Sequence, residues 1–127
     1  MLTLALHHGI GAGRTVGASY NPIERMSIGM EADVYAMGDN HQRGAHPITR
    51  LYLTRGNNTQ ELKVRDREIY LIRTGSFLRG FVKGKASYVT DKLFNPTNLG
   101  WIELQCMLKR DQSGGKDDYF ITLDAIV

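Results

Sequence analysis

The four histidines of this chain, His7, His8, His41 and His46, all lie in its first 46 residues, next to the ends of two strand-like runs. Leu2-Thr3-Leu4-Ala5-Leu6 leads into His7-His8-Gly9, and Asp33-Val34-Tyr35-Ala36-Met37 leads into Gly38-Asp39-Asn40-His41. Neutral imidazole and carboxylate oxygen are ligands for divalent metal ions. Delivered from the ends of neighbouring strands, they can converge on one point, and this makes metal-assisted chemistry the first expectation. Within Gly38-Asp39-Asn40-His41 a carboxylate and an imidazole stand two residues apart, a spacing suited to two-ion clamping of a phosphoryl group. The competing reading is an ordinary tight turn, because Gly, Asp and Asn favour turns. His46, just before Pro47, reads as structural.

The loop after His8 carries Gly9, Gly11, Gly13 and Gly17 around Arg14. It lacks the further glycine of a dinucleotide fingerprint, and no Gly-Lys-Ser/Thr follows to make a phosphate-cradling loop. Its amides and Arg14 remain candidates for contact with an anion. A second motif, Thr74-Gly75-Ser76-Phe77-Leu78-Arg79-Gly80, offers Ser76 or Arg79 as a phosphate contact.

These groups need elements to position them. Leu2 to Leu6 reads as a short buried strand. Asn21, Pro22 and Glu24 read as the cap, first position and third position of a helix ending near Gly29, with Ile23, Met26 and Met30 on its apolar face. Asp33 to Met37 reads as a second buried strand. Strand, helix and strand at this spacing predict a crossover unit with parallel strands, so that His7 and Asp39 to His41 face a common crevice. From Pro47 the texture changes to short strands: Ile48 to Thr54, a turn at Gly56-Asn57-Asn58, then Glu61 to Arg65 and Glu68 to Arg73. Ile102, Leu104, Cys106 and Leu108 alternate with polar residues, and Tyr119 to Leu123 returns as their antiparallel partner. Tyr70, Phe77, Phe81, Tyr88 and Trp101 read as core or interface aromatics.

The 127 residues suit one domain, residues 1–127, since domains commonly run about 100–150 residues. A composition 42% hydrophobic and 23% charged is that of a folding chain. The net charge of +3 permits contact with phosphate compounds or nucleic acid, although no basic run marks a footprint. One cysteine, Cys106, excludes an internal disulfide and is expected to pack as a small hydrophobe in a reducing compartment. With no signal-peptide core and no long apolar run, the expectation is a cytoplasmic protein away from the membrane.

Leu6-His7-His8-Gly9, Glu31 to His41, and Thr74 to Phe81 with Ser87-Tyr88-Val89 together resemble the C-terminal half of calcineurin-like metallophosphoesterases, especially those of phages and prophages. The resemblance covers most of the chain. It implies an α/β (α+β) fold, one half of a double β-sheet sandwich, in which strand-helix-strand leads into mostly antiparallel strands. It also implies a metal-dependent phosphoester hydrolase using Mn, Zn, Mg or Fe. A strand-end ligand falls on His7, with His8 as the alternative. The family's Gly-His-x-His falls on Asp39 and His41, so a carboxylate stands where the family has the first imidazole. Arg14 becomes a substrate contact, and the remaining catalytic residues are not named by the match. The family's Asp-x-His, Gly-Asp and Gly-Asn-His motifs would precede Leu2. The expectation is therefore a partial domain, inactive alone, that forms homo-oligomers or joins a missing N-terminal half. The alternative is a non-catalytic nucleic-acid-binding or assembly module on the same scaffold.

Overall fold

The computed structural model describes residues 1–9, 15–39, 41–55, 62–77, 83–85, 99–111 and 118–127. Its elements are β1 (Leu4–His7), α1 (Val16–Gly29), β2 (Val34–Met37), β3 (Arg43–Arg55), β4 (Leu62–Thr74), β5 (Glu103–Asp111) and β6 (Asp118–Ile126). The first four strands form a mixed sheet in the order β1-β2-β4-β3, and β5 and β6 pair antiparallel as a second sheet. The protein is thus α+β, and the predicted strand-helix-strand unit is present with β1 and β2 parallel. β4 also runs parallel to β2, while β3 returns antiparallel along all 13 residues of β4.

The helix starts earlier than its sequence signals suggest. Thr15 is the cap, its hydroxyl accepting from the Ala18 amide at 3.3 Å, and Pro22 lies inside the helix rather than at its first position. A proline there cannot donate to the Ala18 carbonyl. The helix persists because packing holds it: Ser19, Ile23 and Ser27, four residues apart, form its buried stripe. Of the expected apolar face, Ile23 is fully buried and Met26 packs against the core, but Met30 is exposed. Both serines turn their hydroxyls back to helix carbonyls, Ser19 to Val16 at 2.7 Å and Ser27 to Glu24 at 2.6 Å. Two arginines from the sheet hold this stripe. Arg50 donates to the Ser27 carbonyl and hydroxyl, at the helix end where a cation is favoured, and Arg73 donates to the Ser19 hydroxyl.

Under the helix, Ala5, Tyr35, Met37, Ile69 and Leu71 form one half of the core with Ile23 and Ala32. The Tyr35 hydroxyl is tied in by donating to the Met30 carbonyl and accepting from the Ala32 amide, both at 2.6 Å. On the other face Val34, Tyr70 and Ile72 are covered by Leu104, Leu123 and Ala125 of the β5–β6 pair and by Ile102 just before it. Helix, mixed sheet and antiparallel pair make three layers. The Tyr70 hydroxyl fastens the last two, donating to the Leu123 carbonyl at 2.9 Å.

Two further expectations change in this context. Glu61 to Arg65 and Glu68 to Arg73 are not separate strands, because Arg67 and Asp66 pair with Arg50 and Leu51 inside one continuous β4. The turn at Gly56-Asn57-Asn58 lies outside the described residues. Cys106 is exposed rather than packed, as are Met107 and Leu108, because the packing of β5 on the mixed sheet ends at Leu104 and a cleft separates the two beyond it. No helix among the described residues is long and apolar enough to cross a membrane.

Candidate functional site

Parallel pairing decides where the histidines go. His7 is in register with Met37 and its carbonyl accepts from the Gly38 amide at 3.2 Å, so β1 and β2 end side by side. β4, parallel to β2, ends at the same edge with Arg73 and Thr74. His7, His8, Asp39 and His41 therefore share the C-terminal edge of the sheet, where ligands bind in open α/β folds.

The two strand exits touch. A Cβ on Gly9, whose φ is +109°, would fall 2.5 Å from the Gly38 carbonyl oxygen and 2.8 Å from Cβ of Asp39. Gly38 in turn lies against the His8 carbonyl, which a Cβ would meet at 2.9 Å. Two side-chain-free positions are what let these loops cross. Beyond them Asp39 (φ 66°) and His41 (φ 56°) both adopt the left-handed conformation, which costs a non-glycine residue about 1–2 kcal/mol. Two of the ligands chosen from the sequence thus have left-handed backbone, Asp39 with its Cβ against Gly9.

The side chains are less gathered than the backbone. Nδ1 of His7 accepts from the Gly9 amide at 2.9 Å, which puts the proton of the neutral ring on Nε2. A metal-bound histidine has the opposite arrangement, its second nitrogen donating. Ligation through Nε2 of His7 would therefore give up this bond. His8 is exposed, and among the described residues nothing is hydrogen-bonded to its ring, so it is the freer of the two. Among the described residues no three His, Cys, Asp or Glu side chains come together to hold a metal ion. Arg14 and Asn40 lie outside the described residues, as does Arg79. A cleft of about 680 Å³ lies at the opposite end of the sheet, lined by Asp33, Asp66, Arg67 and Glu68 with Leu108 and Ile121.

Sequence reasoning missed the cations of the edge. Arg73 is 5% exposed, its guanidinium 4.2 Å from the centre of the Tyr20 ring, and it donates to Ser19, to Gln42 at 2.8 Å and to the Arg43 carbonyl at 3.4 Å. Its Nε has no partner. Among the described residues neither Arg73 nor Arg43 has a carboxylate in ion-pair contact; the ion pairs found there belong to Arg67. Arg43 had a visible signal, standing two residues after His41. Arg73 had none, because only the crossing of α1 over β4 buries it. Phe77 and Trp101, read as core or interface aromatics, are 73% and 63% exposed, while Tyr70 is in the core. His46 borders Tyr20, with ring centroids 5.8 Å apart, in keeping with a structural role.

Comparison with family models, curated proteins and solved structures finds no match to this chain.

Proposed function

We propose that the C-terminal edge of the mixed sheet is the residual half of a metal-dependent phosphoester hydrolase site, on a scaffold like the second half of a calcineurin-like phosphoesterase. The observation that carries this is the parallel β1–β2 register, which brings two histidine-bearing strand ends into contact through Gly9, Gly38 and Asp39. The donor types, imidazole and carboxylate, suit a divalent ion such as manganese or zinc. Their spacing does not enclose one, so the proposal is a weak single-ion site formed by His41, Asp39 and either His7 or His8, completed by a partner segment. A bound ion would supply a hydroxide at neutral pH and neutralise charge on the phosphoryl group. The chain's own part is to present the donors and, through Arg43 and Arg73, to make the edge attractive to an anion.

Calorimetry with manganese or zinc tests this reading. Weak binding is expected near pH 7.5, fading at lower pH because protons compete with the metal for imidazole nitrogen. It is expected to vanish in a variant combining His7→Ala, His8→Ala and His41→Ala, and the chain alone should hydrolyse bis-(p-nitrophenyl) phosphate barely or not at all. Titrations of wild type and variant that cannot be told apart would remove these residues from any site. A second reading, a non-catalytic nucleic-acid-binding or assembly module, is favoured by the ungathered ligands together with the carboxylate-free arginines. Salt-sensitive binding of DNA by a chain whose calorimetry shows no metal binding would select it.

A further inference from the structure

We propose that this same edge binds single-stranded nucleic acid, a base stacking on the exposed Phe77–Trp101 pair and a backbone phosphate engaging the Arg43 guanidinium. This deepens the phosphoester reading by naming its substrate class; it rests on that reading for the chemistry alone, not for binding.

Phe77 and Trp101 stack on each other, ring centroids 6.1 Å apart and planes 29° apart, while both remain largely in water. Two large aromatic rings held together outside the core leave a broad apolar face exposed. The backbone keeps them there. The Gly100 amide donates to the Ser76 carbonyl at 3.1 Å, joining the segment after β4 to the one before β5. Gly75 (φ +82°) and Gly100 (φ +134°) make the crossing possible: a Cβ on Gly75 would lie 2.7 Å from the Gly100 carbonyl oxygen. A Cβ on Gly100 would lie 2.6 Å from Nη1 of Arg43. The Arg43 guanidinium thus rests on the main chain one residue from Trp101, with no carboxylate in ion-pair contact among the described residues.

Charge selects the occupant. The described residues of 7–9, 38–43 and 73–77, at this edge, carry two arginines against one carboxylate, Asp39, with three histidines besides. An aromatic platform beside an unneutralised arginine is the arrangement that binds single strands, because every base has a π-face and every linkage a phosphate. A duplex keeps its base faces stacked internally and has none to offer. An apolar protein partner would use the rings but not the arginine.

Trp101 is the chain's one tryptophan, so its emission reports on the site directly. The full chain, in EDTA, is titrated with a short oligothymidylate. Quenching of Trp101 is expected, with an affinity that falls as salt rises. Anisotropy of a labelled strand should show Phe77→Ala and Arg43→Gln each weakening binding about tenfold, with circular dichroism unchanged. An abasic strand of equal length should bind more weakly and leave the emission unquenched; this comparison uses wild type alone, so a variant that fails to fold does not spoil the test. Absence of quenching, or equal quenching by abasic and duplex controls, overturns the proposal. Because metal is chelated throughout, failure here is independent of failure in the metal titration.

Discussion

Asp33 is the most heavily engaged carboxylate of the described structure. Its Oδ2 accepts from the Thr3 amide at 2.6 Å and the Thr3 hydroxyl at 2.7 Å, and its Oδ1 accepts from Nε and Nη2 of Arg67. Arg67 also reaches Glu31 at 3.1 Å, but that partner is solvent-exposed and contributes little. Partial burial by itself raises the Asp33 pKa; the hydrogen bonds from Thr3 and Arg67 outweigh it and hold the carboxyl below its ordinary value. Since the unfolded chain has the ordinary value, the ionised form stabilises the fold above that range, near about pH 4, and the contribution is lost as the pH falls through the depressed folded value. Asp33→Asn should therefore lower the urea midpoint at pH 7, and the gap from wild type should shrink towards pH 3. A gap that does not change with pH would show that the role of Asp33 is not that of a charge.

Helix α1 is an element whose local chemistry and tertiary role disagree. Pro22 sits at its seventh residue, half-buried, where it removes a donor to Ala18 and crowds that carbonyl. The stripe of Ser19, Ile23 and Ser27, gripped at its two ends by Arg73 and Arg50, keeps the helix whole despite this. Pro22→Ala restores the donor without touching the stripe and should stabilise the protein by about 1–3 kcal/mol, measured from urea unfolding. If stability falls instead, the ring is packing against the sheet more usefully than a helical hydrogen bond would.

For the molecule as a whole, the uncovered part of the sheet matters most. β1 is an edge strand, and its Leu4 and Leu6 are 55% and 73% exposed. At the far end, β3 and β4 continue past the layers that cover them, leaving Leu51, Leu53, Leu62 and Val64 exposed as well. Unpaired backbone groups beside apolar side chains are a template for another strand, and β1 has no lysine, proline or bulge to discourage it. The chain should accordingly run as oligomers in light-scattering chromatography, with Leu6→Lys shifting it towards monomer. A wild-type monomer at high concentration would show that the β1 edge does not drive association.

The sequence by itself determined what depends on neighbours in the chain. The alternation around Leu104 and the return at Leu123 specified an antiparallel pair, Gly29 marked the helix end, and two short apolar runs around a helix implied parallel strands. That pairing is also why the residue pattern alone puts His7, Asp39 and His41 at one edge. What packs on what could not be read this way. The helix begins at Thr15 because Ser19 and Ile23 find a surface there, a reward that the local signal at Asn21 and Pro22 does not contain. Cys106 is exposed because a cleft opens between β5 and the mixed sheet beyond Leu104, and Arg73 is buried because α1 crosses β4; identical local sequences under other layers would reverse both. The ring of His7 turns to the Gly9 amide, a choice set by side-chain geometry at a loop crossing. Local pattern specifies periodicity and partner direction, but burial and side-chain aim are decided only when layers meet, because the energies involved belong to contacts distant in sequence.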